Sequence, residues 1–144
     1  VKDLMNNTSR DASGLGYITT LLGRKCRFDK WEEAVYNPGV LKIPMSHAEA
    51  EKKYGGESIR RAFTYKALNK LIQGSAADMT KKAMLDLYKE GIIPHIQVHD
   101  ELDISVESPE QAKKIIKIME TAVKLKIPNK VDYESGDNWG EING

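Results

Sequence analysis

The feature that most constrains the fold is an apolar segment with two adjacent acids in its middle, Ile96-Gln97-Val98-His99-Asp100-Glu101-Leu102. Beyond it, apolar and polar residues alternate as far as Glu107. Alternation with a period of two is typical of a strand that buries one face. The segment therefore predicts a hairpin that starts at Ile92, turns at Asp100 and Glu101, and returns toward Glu107.

Helical patterns occupy much of the rest of the chain. The longest runs from Glu57 to Lys89 with an interruption near Gln73-Gly74, and an amphipathic stripe follows Ser108-Pro109, an N-cap residue with proline at the first helical position. A helix over Val1–Arg10 should end near Gly14.

Shorter patterns complete the predicted order of elements. They are a basic hairpin over Tyr17–Phe28, a turn at Asn37-Pro38-Gly39, a short helix over Ser46–Tyr54 and a last strand over Lys130–Glu134. Helices and hairpins in this order predict an α+β fold, in which an antiparallel sheet with a motif-bearing hairpin packs against long helices.

A length of 144 residues is near the usual size of one domain. We therefore predict a single domain over 1–144, with 29–56, the least patterned stretch, as a surface excursion. Residue 1 is Val rather than Met, which suggests an excised piece or one subunit of a split protein.

Composition excludes several classes of protein. The single cysteine, Cys26, excludes an internal disulfide framework and disfavours a zinc site built from thiolates. No apolar run approaches the roughly 20 residues of a membrane span, and no signal peptide begins the chain. We therefore predict a soluble protein in a reducing, cytoplasmic compartment, with no membrane partner.

Local charge says more about partners than the formal net charge of +1 does. Between Arg60 and Lys82 the only acid is Asp78, whereas the chain from Asp100 onward holds ten acids and six bases. A basic stretch that leads to an acidic turn suits a site that binds phosphates and also holds cations. Solvated helix faces would explain the same pattern.

Asp100 is a candidate ligand for Mg²⁺. A carboxylate on a tight turn is rigidly supported, and Mg²⁺ takes oxygen ligands shared between one or two carboxylates, water and substrate phosphates. Glu101 could assist, and His99 could donate a hydrogen bond to a phosphate or a sugar. The alternatives are an ordinary acidic turn and a structural histidine, since aspartate is common in turns.

Asn69 and Gln73 are candidate contacts to DNA. They lie one helical turn apart, so both amides can face the minor-groove acceptors that every base pair presents. An ordinary polar helix face is the alternative. The small residues of 74–77 would allow a close backbone approach, which tight packing explains equally well.

Several of these segments resemble the C-terminal part of the family A DNA polymerases, the bacterial DNA polymerase I group. The matching segments are 16–24 (G-Y-I-T-T-L-L-G-R), 66–78 (K-A-L-N-K-L-I-Q-G-S-A-A-D), 97–101 (Q-V-H-D-E) and 136–139 (G-D-N-W). They occur in the family's order and span nearly the whole chain, so together they are a specific signal.

The resemblance implies part of the palm and fingers of an enzyme for template-directed DNA synthesis. It implies that Asp100 is the metal-binding aspartate, that Glu101 is its acidic neighbour and that His99 contacts the primer terminus. Asn69 and Gln73 become contacts to template-primer DNA, and Arg24, Arg27 and Lys66 become supporting DNA contacts. The cofactor would be Mg²⁺, and the partners would be primer-template DNA, a dNTP and the N-terminal part of the polymerase.

Two departures from the bacterial pattern accompany these matches. Tyr65 stands where bacterial members usually have an arginine, so that contact passes to Lys66, and the stretch between Phe28 and Glu57 is longer. A phage-like branch is the expected source, in a bacterial or phage-infected cell, with an organellar branch as the alternative.

Part of the family's active site has no counterpart in this sequence. The second metal-binding carboxylate and the nucleotide-binding fingers helix belong upstream in the family, so we expect this chain alone to be inactive. A non-catalytic DNA-binding module and a metal-dependent nuclease that uses Asp100, Glu101 and Asp103 are the alternative functions.

Overall fold

The structure is a computed structural model, and it describes residues 2–35, 39 and 41–142. The helices are α1 (Lys2–Gly14), α2 (His47–Tyr54), α3 (Ala67–Lys89), α4 (Pro109–Thr121) and α5 (Trp139–Ile142). The strands are β1 (Tyr17–Thr19), β2 (Lys25–Arg27), β3 (Trp31–Glu33), β4 (Ile59–Arg61), β5 (Ile96–Val98) and β6 (Glu101–Asp103).

The strands pair antiparallel, as β1 with β2, β3 with β4 and β5 with β6, and each pair is a separate sheet within the described residues. The α+β class with antiparallel pairing is therefore confirmed. The predicted turn at Asn37-Pro38 lies outside the described residues, as does Val1 of the first predicted helix.

The chain divides into two compact units, Val1–Ser75 and Ala76–Gly144. In the first unit, α1, the β1–β2 hairpin and the start of α3 share one core. Its buried residues are Ala12, Ile18, Phe28 and Ala67, with Cys26 and Leu71 packed against them. Because hydrophobic burial is the main stabilising contribution in a small unit, this core fixes the hairpin and the first turns of α3 together.

Arg61 at the end of β4 connects several parts of this unit. Its Nη1 donates a hydrogen bond to the Phe28 carbonyl oxygen at 3.0 Å, and its guanidinium carbon lies 4.6 Å from the centroid of the Trp31 ring. Gly16 has φ +78°, and a Cβ there would lie 2.6 Å from the same guanidinium carbon. Glycine is favoured at position 16 by its backbone angle, and a larger residue would also displace the Arg61 guanidinium.

The stretch 29–56 holds β3 and α2, and β3 pairs with β4. The short helix was predicted correctly. Its N-cap is Ser46, whose Oγ accepts from the Glu49 amide, while the Glu49 carboxylate accepts from the Ser46 hydroxyl and amide. These hydrogen bonds, with the hydroxyl contributing most, lower the pKa of Glu49.

In the second unit, the end of α3, the β5–β6 hairpin and α4 share a core. Its buried residues are Leu87, Ile92 and Ile115, with Leu102, Ile104, Ile118 and Met119 against them. The start of α4 is as predicted: Ser108 Oγ accepts from the Gln111 amide at 3.2 Å, and Pro109 is the first helical residue.

The predicted long helix was wrong in two respects. The segment begins with a 3-10 turn over Gly56–Ser58 and then β4 rather than with an α-helix, because residues 59–61 form an antiparallel ladder with β3. Across this ladder Arg60 Nη2 lies 2.8 Å from Glu32 Oε1. From Ala67 onward α3 is continuous through Gly74, where an interruption was expected. A single glycine costs a helix only about 1 kcal/mol, which the remaining turns can offset.

The predicted strand over Lys130–Glu134 was also wrong, since the structure has no strand there. The Val131 amide instead donates to the Glu120 carboxylate of α4 at 3.3 Å. A side chain of α4 thus accepts the hydrogen bond that the backbone of a neighbouring strand would have accepted. No helix in the described ranges is long and apolar enough to span a membrane.

Candidate functional site

The first group of predicted site residues lies along the start of α3. Lys66 closes a 3-10 turn, Thr64–Lys66, that leads directly into the helix. Asn69 and Gln73 follow on α3, and all three side chains are exposed. The two amides are one helical turn apart and can meet one extended partner. The structure therefore places these residues on one accessible stretch of helix.

The β1–β2 hairpin contacts α3 directly beside this stretch. The Leu21 amide donates to Ser75 Oγ at 3.0 Å, and Arg24 Nη2 donates to the Gly74 carbonyl oxygen at 2.8 Å. A Cβ on Gly74 would lie 3.0 Å from Thr20 Cγ2 and 3.2 Å from Arg24 Nη2. Gly74 thus serves close packing of the hairpin on α3, one of the two explanations the sequence left open.

The predicted basic residues differ in their surroundings. The Arg24 guanidinium is exposed but already bonded to α3, so it also supports the helix. Arg27 lies on β2, opposite Tyr17, with its side chain exposed. Lys66 Nζ lies 5.2 Å from the Phe63 ring centroid, and Lys70 Nζ lies 4.6 Å from that of Phe28. Ammonium groups held over aromatic rings remain available to an anion from their open side.

The second group lies at the turn of the β5–β6 hairpin. Val98 pairs with Glu101, which leaves His99 and Asp100 as the two residues of the turn. His99 has φ 52°, in the left-handed region that residues other than glycine seldom adopt. Its carbonyl oxygen accepts from Gln97 Nε2 at 2.5 Å. A short turn between paired strands holds the acidic residues on rigid support.

The side chains of His99, Asp100 and Glu101 are all exposed. Within the described ranges, no three His, Cys, Asp or Glu side chains gather where they could hold a metal ion. Asp100, Glu101 and Asp103 therefore do not form a complete site, as the nuclease alternative would need. A single accessible aspartate does fit Mg²⁺ as one ligand of several, because this ion keeps waters and binds substrate oxygens.

The two groups lie in different compact units, with 24, 27, 66, 69 and 73 in the first and 99–101 in the second. Two residues of the first unit that were not among the predicted site residues, Phe63 and Tyr65, are exposed beside Lys66. The sequence run Phe-Thr-Tyr-Lys at 63–66, in a stretch without acids, was the signal that could have identified them.

Comparisons with known proteins agree on one family. The family model described as DNA polymerase family A matches residues 1–141. The chain is 38% identical to a DNA-directed DNA polymerase of Pseudomonas phage M6 over 144 residues, all of this chain. It is 34% identical to DNA polymerase I of Bacillus caldotenax over 148 aligned positions, which cover 96% of this chain.

Among solved structures, the chain resembles the POL domain of Pol1 from M. smegmatis in complex with DNA primer-template and dNTP. The TM-score is 0.67 at 25% identity, over 99% of this chain and 23% of that one. The chain spans 18% of the phage relative and 14% of the Bacillus relative. The relatives thus contain much that has no counterpart in these residues.

Proposed function

This chain belongs to DNA polymerase family A, and we propose that it supplies two parts of a template-directed DNA synthesis site. One part is formed by Lys66 at the entrance to α3 and by the exposed Asn69 and Gln73 on the helix, and it binds template-primer DNA. The other is the turn of the β5–β6 hairpin, which supplies a metal-binding carboxylate at Asp100.

The observation that carries this proposal is the pair of exposed amides on α3, Asn69 and Gln73, beside a docked hairpin. An amide can donate to the minor-groove acceptors, N3 of a purine and O2 of a pyrimidine, which occupy similar positions in every base pair. The hairpin and Gly74 hold α3 in place, so its amides meet the DNA without reorganisation. Lys66 adds attraction to phosphate, which positions the duplex without reading its sequence.

At the acidic turn, Asp100 would hold Mg²⁺ together with ligands from other parts of the enzyme. The metal would stabilise the attacking and leaving oxygens while a primer 3′-hydroxyl displaces pyrophosphate from a dNTP. Glu101, next to Asp100 in the chain, would add to the negative charge at the turn. His99 would donate to the primer end, and its turn conformation carries its ring on the same rigid support as Asp100.

The relatives are about five to seven times longer than this chain, so the second carboxylate group and the nucleotide-binding elements would come from outside these residues. The partners in this proposal are primer-template DNA, a dNTP and the rest of the polymerase.

Binding of a fluorescent primer-template duplex to the 144-residue chain tests the DNA-binding part. We expect Asn69→Ala and Gln73→Ala each to weaken binding by roughly 1–3 kcal/mol, because each removes hydrogen bonds to the duplex. The loss should be similar for duplexes that end in A·T and in G·C, since the acceptors are shared.

Asn6→Ala is the matched control, since Asn6 is an exposed amide on α1 of the same unit. It should leave the dissociation constant unchanged. Equal loss in the Asn6 variant, or a strong dependence of the Gln73 effect on one base pair, would contradict the assignment.

A further inference from the structure

Two aromatic side chains are exposed at the entrance to α3. Tyr65 is 74% exposed and Phe63 is 37% exposed. Exposed aromatic rings that cluster beside polar groups mark interaction sites more often than scattered apolar residues do. Tyr65, Asn69 and Gln73 are spaced by four residues, so Tyr65 precedes the two amides by one turn.

The backbone beneath these rings is held firmly. Ala62 and Ala67, on either side of the turn, are buried. Ser9 Oγ of α1 donates to the Thr64 carbonyl oxygen at 3.5 Å, and the Ala62 amide donates to the Lys30 carbonyl oxygen at 2.8 Å. The rings therefore project from a turn whose backbone needs little ordering when a partner binds.

Phe63 also has an unusual backbone conformation. Its φ of 63° and ψ of 12° lie in the left-handed region, which is a genuine outlier for a bulky side chain. Strain of this kind persists only where the surroundings enforce it, and it concentrates at binding sites. The conformation places the Phe63 ring beside Lys66 instead of in the core of the unit.

The charge around the rings is positive. Lys66 Nζ lies 5.2 Å from the Phe63 centroid and 5.6 Å from the Tyr65 centroid. Between Ser58 and Ala77 the chain has four basic residues and no acid. Flat apolar faces beside an ammonium group complement a strand of bases and phosphates.

We propose that Phe63, Tyr65 and Lys66 form a stacking platform for unpaired bases of a DNA single strand. A base would stack on the exposed Tyr65 ring, with Phe63 beside it, and Lys66 would pair with a phosphate. Every base has a π-face, so the platform would accept any sequence. The proposal rests on the proposed function, since it extends the DNA surface of α3 by one turn.

The test compares binding of the 144-residue chain to two short fluorescent strands of equal length, oligo-dT and an abasic strand with the same phosphates. We expect oligo-dT to bind at least about fivefold more tightly, because only it offers bases to stack. Tyr65→Ala and Phe63→Asn should bring this ratio close to one. Asparagine tolerates the left-handed conformation, so the second variant removes a ring without added strain.

Two variants serve as matched controls. Tyr65→Phe keeps the ring and should keep the ratio. Tyr88→Ala removes an exposed tyrosine of α3 outside the platform, which is 66% exposed, and should also keep the ratio. Equal binding of oligo-dT and the abasic strand to the unchanged chain would overturn the platform. A preference for oligo-dT that is unchanged in Tyr65→Ala would overturn it as well. Either result would fit aromatic rings that contact protein instead of DNA.

A blunt duplex without unpaired bases separates this proposal from the function on which it rests. Only the platform fails if oligo-dT and the abasic strand bind equally while the chain still binds the duplex and Gln73→Ala weakens that binding. If neither the duplex nor oligo-dT binds, the proposed function fails and the platform fails with it.

Discussion

At the scale of single residues, His99 and Phe63 are the two non-glycine residues with positive φ in the described part of the chain. Each stands beside groups that we assign to DNA or metal. The strain at His99 has a consequence for stability, because the two-residue turn must place one residue in the left-handed region. A β-branched residue is poorly tolerated there, whereas glycine is favoured.

We therefore predict that His99→Val lowers the free energy of unfolding by about 1–2 kcal/mol and that His99→Gly does not lower it. Urea unfolding of both variants is the measurement. His99→Gly retains the turn that carries Asp100 but removes the imidazole. A glycine variant as destabilised as the valine variant would show that the ring, not the backbone, holds the turn.

At the scale of elements, the docking of the β1–β2 hairpin on α3 depends on Gly74. Alanine normally favours a helix by up to about 1 kcal/mol over glycine. At position 74, however, its Cβ would lie 3.0 Å from Thr20 Cγ2, and Thr20 is buried. The hairpin would have to shift away from the helix.

Gly74→Ala should therefore lower the free energy of unfolding by about 1 kcal/mol or more, because overpacking outweighs helix propensity. Gly14→Ala is the control, since nothing lies within 4 Å of a Cβ built on that helical glycine. It should raise stability by at most about 0.5–1 kcal/mol, because Gly14 is the last residue of α1. Thermal or urea unfolding that shows both variants stabilised would mean that Gly74 does not determine the packing.

The elements that the sequence predicted well carry local signals of their own. Ser108 and Pro109 mark the start of α4, and the alternation after Asp100 marks the returning strand, although β6 ends already at Asp103. The errors lie where contacts between elements, rather than the local sequence, determined the secondary structure. Residues 59–61 pair with β3 inside a helical pattern, and the Val131 amide donates to the Glu120 carboxylate where a strand was expected.

The candidate site likewise combines features that the sequence predicted with features that it did not. The residue types and spacings of Asn69, Gln73 and Asp100 identified the candidates, and the structure shows all three exposed. Neither the bond from Arg24 to Gly74 nor the exposure of Tyr65 could be predicted, because both depend on how the hairpin, α1 and the start of α3 pack together.

At the scale of the whole molecule, the chain corresponds to a small part of its relatives, 18% of the phage polymerase. Phosphoryl transfer with two metals needs carboxylates on both sides of the reacting oxygens, and in the described residues no three His, Cys, Asp or Glu side chains gather where they could hold a metal ion. The activity should therefore appear only when this segment is joined to the rest of a polymerase.

The most direct test is primer extension by a chimera in which this chain replaces the matching segment of the phage M6 polymerase, to which it is 38% identical. We expect extension by the chimera with dNTPs and Mg²⁺, none by the isolated chain, and a loss of several orders of magnitude for the chimera with Asp100→Asn. Glu101→Gln should cost much less. A twofold loss for Asp100→Asn, or extension by the isolated chain, would contradict the assignment of Asp100 as one part of a divided metal site.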